Sequence, residues 1–101
     1  MTHRFSHEGL ADYRTVTAQY ETAAKLGSAF AAEVMRYVTI IEANPEGFSR
    51  APRCPVGRDI RVVKIGRFDY LLYHEVLPTE VITLAILHCR RNTNEWRKRR
   101  P

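Results

Sequence analysis

Residues 81–91 read Val81-Ile-Thr-Leu-Ala-Ile-Leu-His-Cys-Arg-Arg91, a nine-residue apolar run (81–89) that stops abruptly at two arginines. Two further β-prone segments precede it: residues 60–65, where Arg61 and Lys64 interrupt the apolar residues, and residues 70–77. Turn residues separate the three, Gly66-Arg67-Phe68-Asp69 and then Leu77-Pro78-Thr79, so the stretch 59–96 reads as an antiparallel meander. Strict alternation along 81–89 puts Ile82, Leu84, Ile86 and His88 on one face and Val81, Ala85 and Leu87 on the other. A strand apolar on both faces is covered on both faces.

Toward the N-terminus the period changes. Residues 2–5 are long enough for one short strand with Phe5 buried. Ser6 is a natural N-cap, with Glu8 in the first turn facing the positive helix end. Leu10, Tyr13, Thr17, Tyr20 and Ala24 then recur at helical spacing, predicting a helix over about 7–26. Gly27 reads as its stop and Ser28 as a restart. Phe30, Val34, Tyr37, Val38 and Ile41 form the stripe of a second helix over about 28–43, which ends at Asn44-Pro45. So short a break implies an antiparallel helical hairpin. Residues 46–58 are a loop punctuated by Gly47, Pro52, Pro55 and Gly57 and carrying Arg50, Arg53 and Arg58. The element order is β-α-α-β-β-β. The expected fold is α+β: an N-terminal strand and a helical hairpin packed on one face of a small, mostly antiparallel sheet. Two helices cannot cover both faces, so the second face is expected to lie open as an interface.

The chain of 101 residues reads as one domain, 1–101, with a basic tail at 92–101. Its hydrophobic share of 45% predicts a packed core rather than disorder. Residues 1–49 carry four basic and six acidic side chains, whereas residues 50–101 carry twelve basic and five acidic, a net of +7. Basic charge gathered on the strand region points to a polyanionic or an acidic protein partner. Cys54 and Cys89 stand far apart without metal-ligand spacing, so no metal, cofactor or disulfide is called for. The first residues have no apolar core and no apolar run nears ~18 residues. A cytoplasmic setting without membrane contact is therefore expected.

Several residues in this order resemble the RelE/ParE superfamily of bacterial toxins from toxin–antitoxin (plasmid stabilization) modules. In the first half they are Arg4-Phe-Ser-His-Glu, Tyr20-Glu21, Leu26-Gly27-x-x-Phe30-x-x-Glu33-Val34 and Ile41-x-x-Asn44-Pro45. In the second half they are Arg61-x-x-x-x-x-Arg67-Phe68-x-Tyr70, Tyr73-x-x-Val76 and Ala85-x-x-His88-x-Arg90-Arg91, with Trp96 behind. The family's Phe-Pro-Tyr turn is Phe68-Asp69-Tyr70 here, and its Arg-Arg-Asp-Pro ending is Arg90-Arg91-Asn92-Thr93. Asp and Asn suit turns, so the fold expectation is unchanged.

The resemblance implies two mechanisms of different class. ParE-like members inhibit growth by poisoning DNA gyrase. RelE-like members are metal-independent ribonucleases that cut messenger RNA on the ribosome, which makes enzymatic activity an open question. Metal-free cleavage needs a base, an acid and cations on the phosphorane. The candidates are Arg61, Lys64, Arg67, His88 and Arg90, with His74 as a second proton carrier. Target or nucleic-acid contacts are expected from Arg58, Arg61, Lys64, Arg90, Arg91 and Trp96, although Trp96 reads first as a lid on the sheet end. No tyrosine follows Tyr73, whereas the RelE-like set includes a C-terminal one, so the ParE-like reading leads. The implied partner is a cognate antitoxin, acidic and folding on binding. It is expected on the hairpin's open groove and on the strand at Tyr70, Leu72, His74 and Val76. A degenerate, non-toxic binding module is the third reading.

Overall fold

The computed structural model describes residues 1–91 and 94–101. Strand β1 (Thr2–Phe5) leads into helices α1 (His7–Ala24) and α2 (Gly27–Ala43), followed by strands β2 (Ile60–Lys64), β3 (Tyr70–Val76) and β4 (Glu80–His88). The sheet order is β1-β4-β3-β2. The meander is antiparallel and β1 joins its far edge parallel to β4, so the sheet is mixed. The turn expected at Asn92-Thr93 lies outside the described residues.

The helices form as the sequence spacing predicts, with one change at their junction. Ser6 caps α1, its Oγ accepting from the Gly9 N–H at 3.0 Å. At the other end Lys25, not Gly27, takes the left-handed cap, with φ 55°. Gly27 instead opens α2 because it sits against α1, where a Cβ would fall 2.8 Å from the Glu21 Cβ. Phe30, Val34, Val38 and Ile41 are buried beneath α2, and Val16 beneath α1. There they meet Ile65, Phe68, Leu72, Val81 and Ile86 from the sheet. Tyr20, Phe30, Phe68 and Tyr70 interlock as stacked and edge-on rings, with centroids 4.9–6.0 Å apart.

Strand β4 departs from strict alternation. Tyr73 pairs with Ala85 but His74 pairs with Thr83, so Leu84 is an extra residue, a β-bulge. Past the bulge the faces exchange. Val81 and Ile86 lie under the helices, whereas Ile82, Leu84, Ala85 and Leu87 belong to the opposite cluster. The expected sets, Ile82-Leu84-Ile86-His88 against Val81-Ala85-Leu87, are corrected accordingly.

The second face is not open either. The chain covers much of it with its own C-terminal segment, a 3-10 turn at Glu95–Lys98 whose Trp96 is 2% exposed and stacks on Tyr73 at 4.9 Å. Ala51 and Cys54 from the long loop complete a second apolar cluster with Ile60, Ile82 and Leu84.

Helix α1 starts so close to the sheet that a Cβ on Gly9 would collide with the Thr83 carbonyl oxygen, a backbone atom that cannot swing aside. Gly9→Ala adds about 1 kcal/mol of helix propensity but overpacks a backbone contact, which costs roughly 1–3 kcal/mol or more. Urea denaturation is expected to show a net loss for Gly9→Ala; a gain in midpoint would contradict the close approach.

Candidate functional site

The twelve basic side chains of residues 50–101 divide into two groups, those spent on the fold and those facing solvent. Arg58 belongs to the first group. Its Nη2 and Nε donate to the two oxygens of Glu75 at 2.5 and 3.0 Å, and further N–H groups donate to the carbonyls of Arg97 (3.3 Å) and Arg99 (2.9 Å). It therefore clamps the tail to β3 rather than facing a target. Arg61 is spent as well, donating to Asp59 Oδ1 (3.0 Å) and to the carbonyls of Glu46 (3.0 Å) and Phe48 (2.9 Å).

Arg99 sits among the basic residues 97–100 of the tail, yet it is buried. Its Nη1 donates to Asp12 Oδ2 at 2.6 Å and to the Leu84 carbonyl at 2.9 Å, and Asp12 Oδ2 also accepts from the Ile86 N–H at 2.9 Å. The backbone groups flanking the bulge are thus satisfied by a helix carboxylate and a tail guanidinium. No sequence signal separates Arg99 from its neighbours. Only the turn at Glu95–Lys98 aims it inward.

His74 is fully buried, and its Nε2 lies 3.2 Å from the Pro45 carbonyl. A carbonyl only accepts, so the neutral ring carries its proton on Nε2. Nδ1 is left without a hydrogen-bond partner among the described residues. Burial pushes the imidazole from its ordinary 6.5 down to about 4, with the Arg61 guanidinium adding in the same direction. His74 is thus a neutral core residue at pH 7. Leu72 is equally buried, and Tyr70 and Val76 pack against the helix-side core. Of the four side chains expected to receive an antitoxin, Leu72 and His74 are therefore sealed in the interior, whereas Tyr70 and Val76 are half-buried and Tyr70 lines a surface depression beside His88. The hairpin groove does exist: Tyr13, Thr17, Ala18 and Ala31 line a shallow depression of about 480 Å3 between α1 and α2.

The remaining expected residues gather at one end of the sheet. The Cys89 N–H donates to the Asp69 carbonyl at 2.9 Å, which brings the β2–β3 turn beside the end of β4. Arg67 lies over the Phe68 ring at 5.3 Å and, like Lys64, Arg90 and Arg91, is exposed. His88 packs edge-on against Tyr70 at 5.1 Å, and its Nδ1 accepts the Arg90 N–H at 3.1 Å. These cations form a basic rim. Arg61 is not part of it: it pairs with His74, whereas His88 pairs with Tyr70, four residues along β3. That separation is about 13 Å at strand rise, against the ~3 Å that proton transfer requires. Trp96 is buried as the lid on the sheet end, the first of its two readings, rather than exposed among the cations.

No protein-family model matches the chain, and no curated protein does. Among solved structures, a chain described as "Chromosomal ParDE TA system from P. aeruginosa" superposes with a TM-score of 0.74. The match covers 87% of this chain and 95% of that one at 15% identity. The likeness is one of fold: the chain has the ParE-like α+β fold. Among the described residues no helix is long and apolar enough to cross a membrane.

Two tests follow from the buried groups. Removing Arg58 leaves Glu75 buried and unpaired and unties two tail carbonyls. Arg58→Ala is expected to cost roughly 3–5 kcal/mol in urea denaturation and to red-shift the emission of Trp96, the sole tryptophan. For His74 the folded pKa is depressed, so between pH 6.5 and about 4 the unfolded chain binds the extra proton and stability falls as pH falls. The full effect is about 3 kcal/mol. His74→Leu is expected to flatten that part of the stability–pH curve, leaving the contribution of His3, whose pKa burial also lowers. An unchanged slope would show that His74 titrates normally.

Proposed function

We propose that this chain is the toxin of a type II toxin–antitoxin pair. It would inhibit growth by binding its target through the basic rim, with an acidic antitoxin as its neutralising partner. The observation that carries this reading is the division of charge on a ParE-like fold. Arg58, Arg61 and Arg99 are consumed internally, while Lys64, Arg67, Arg90 and Arg91 stand exposed at one end of the sheet. A cationic rim on a rigid sheet end suits an acidic surface or a phosphate backbone and speeds association with either.

Binding is favoured over nucleolysis for a geometric reason. Cleavage of RNA needs a base, an acid and cations converging on one phosphate. Here Arg61 is locked to carbonyl oxygens, His74 is a buried neutral ring, and His88 lies on the helix face, whereas Lys64 lines the opposite face. The target within this reading is gyrase-like, a protein bound rather than a substrate cut. The antitoxin would take the hairpin groove and mask the rim, since Leu72 and His74 are buried in the core.

The test is induced expression in a bacterial host, alone and with the neighbouring open reading frame. Growth arrest is expected, relieved by co-expression, with messenger RNA 5′ ends unchanged in the first minutes. Lys64→Glu, Arg67→Glu, Arg90→Glu and Arg91→Glu combined are expected to abolish arrest while leaving the circular dichroism spectrum intact. New in-frame transcript ends would replace this reading with a ribonuclease, and normal growth of a host making soluble protein would leave only a non-toxic binding module.

A further inference from the structure

The sheet face away from the helices is covered incompletely. Between the long loop and the C-terminal segment a cavity of about 400 Å3 remains. Leu71 and Tyr73 line its strand side. Pro52 and Arg53 of the loop form one wall and Trp96 of the tail another, with Lys64 of β2 beside them. No carboxylate lines it among the described residues, although eleven acidic residues are spread over the chain. Arg53 makes no hydrogen bond or ion pair with any described residue. Lys64 spends one of its three N–H groups on the Gly66 carbonyl at 2.7 Å, leaving two. The Tyr73 ring, stacked on Trp96, makes the inner part apolar and rigid.

An apolar interior with two cations selects an amphiphilic anion. A guanidinium fork beside an ammonium favours a dianionic phosphate over a single carboxylate. A volume near the lower end of the roughly 300–1,000 Å3 found for small-ligand sites admits one ring-bearing molecule. Walls contributed by the chain's own loop and tail restrict the space available to a polymer. We propose that this cavity binds a small phosphomonoester with a ring-sized body, of which a nucleoside monophosphate is the matching type. The site is separate from the hairpin groove and does not depend on the toxin reading.

Trp96 reports on the cavity directly. The intact protein is titrated with adenosine 5′-monophosphate, with emission excited at the red edge of tryptophan absorption, and the heat of binding is followed in parallel. The expected result is a saturable change below about 1 mM, a binding free energy beyond roughly −4 kcal/mol. Arg53→Gly and Lys64→Met are expected to weaken binding at least tenfold each. Arg53 holds φ 60°, which glycine adopts without strain, and methionine keeps much of the lysine's apolar stem, so both variants should fold, as circular dichroism would check. Phenyl phosphate as a competitor separates the two sources of a ring: equal affinity assigns an aryl phosphate, weaker affinity a nucleotide, and either supports the site. Three results would overturn the proposal. They are no saturable signal at millimolar ligand, equal binding of inorganic phosphate, or tighter binding of a single-stranded RNA decamer with the same dependence on Arg53 and Lys64.

Discussion

Strand β4 is apolar on both faces, so the fold depends on keeping both faces dry. The helical hairpin covers one, and the Glu95–Lys98 turn with the long loop covers much of the other. The Asp12–Arg99 pair holds these layers together. It reaches from α1 past the bulged edge of β4 to the tail, and on the way it satisfies the Leu84 carbonyl and the Ile86 N–H. Burying a guanidinium is costly unless every partner is supplied. Here the Asp12 carboxylate and the Leu84 carbonyl take hydrogen bonds from the Nη1 side, while the buried Nε makes none among the described residues and has only the charge of Glu8 at 3.5 Å, with Glu95 3.3 Å from Nη2. The same pair therefore anchors the tail and makes the bulge tolerable.

A second consequence concerns charge. A net of +5 suggests one diffuse basic surface, but three of the arginines on the strand side are structural. Arg58 clamps Glu75 and two tail carbonyls, Arg61 gathers the carbonyls of the loop after α2, and Arg99 closes the tail. The exposed cations are concentrated at the sheet end, at Lys64, Arg67, Arg90 and Arg91, and in the tail's outward side chains. Lys64 ends β2 and the other three follow the strand ends in turns, which the hydrogen bond from the Cys89 N–H to the Asp69 carbonyl brings side by side.

Much of the architecture was legible in residue order. Helical spacing from Phe30 to Ile41, the Ser6 cap, the Asn44-Pro45 stop and the three β-prone segments each carry a local physical cause, and each element forms where that cause places it. The candidate site was less legible. Arg58 and Arg61 read as surface chemistry because their type is that of binding residues, and composition does not reveal which way a side chain points. Leu72 and His74 looked available because the second sheet face was expected to be bare; they lie instead on the helix side. One inserted residue at Leu84 exchanged the faces of half a strand, and a pure alternation rule has no means of anticipating it.

By itself the sequence determined the element order, the α+β class, the hairpin stripe and the clustering of positive charge on the second half of the chain. These follow from short-range periodicity, caps and turn residues, whose energetics are local. Only the tertiary structure decided which arginines are free, which face of β4 each residue serves, and that Arg99 turns inward to close the sheet rather than extend from it. Those outcomes turn on contacts such as Asp12 to Arg99, 87 positions apart, and on desolvation, which depends on what the rest of the chain places overhead.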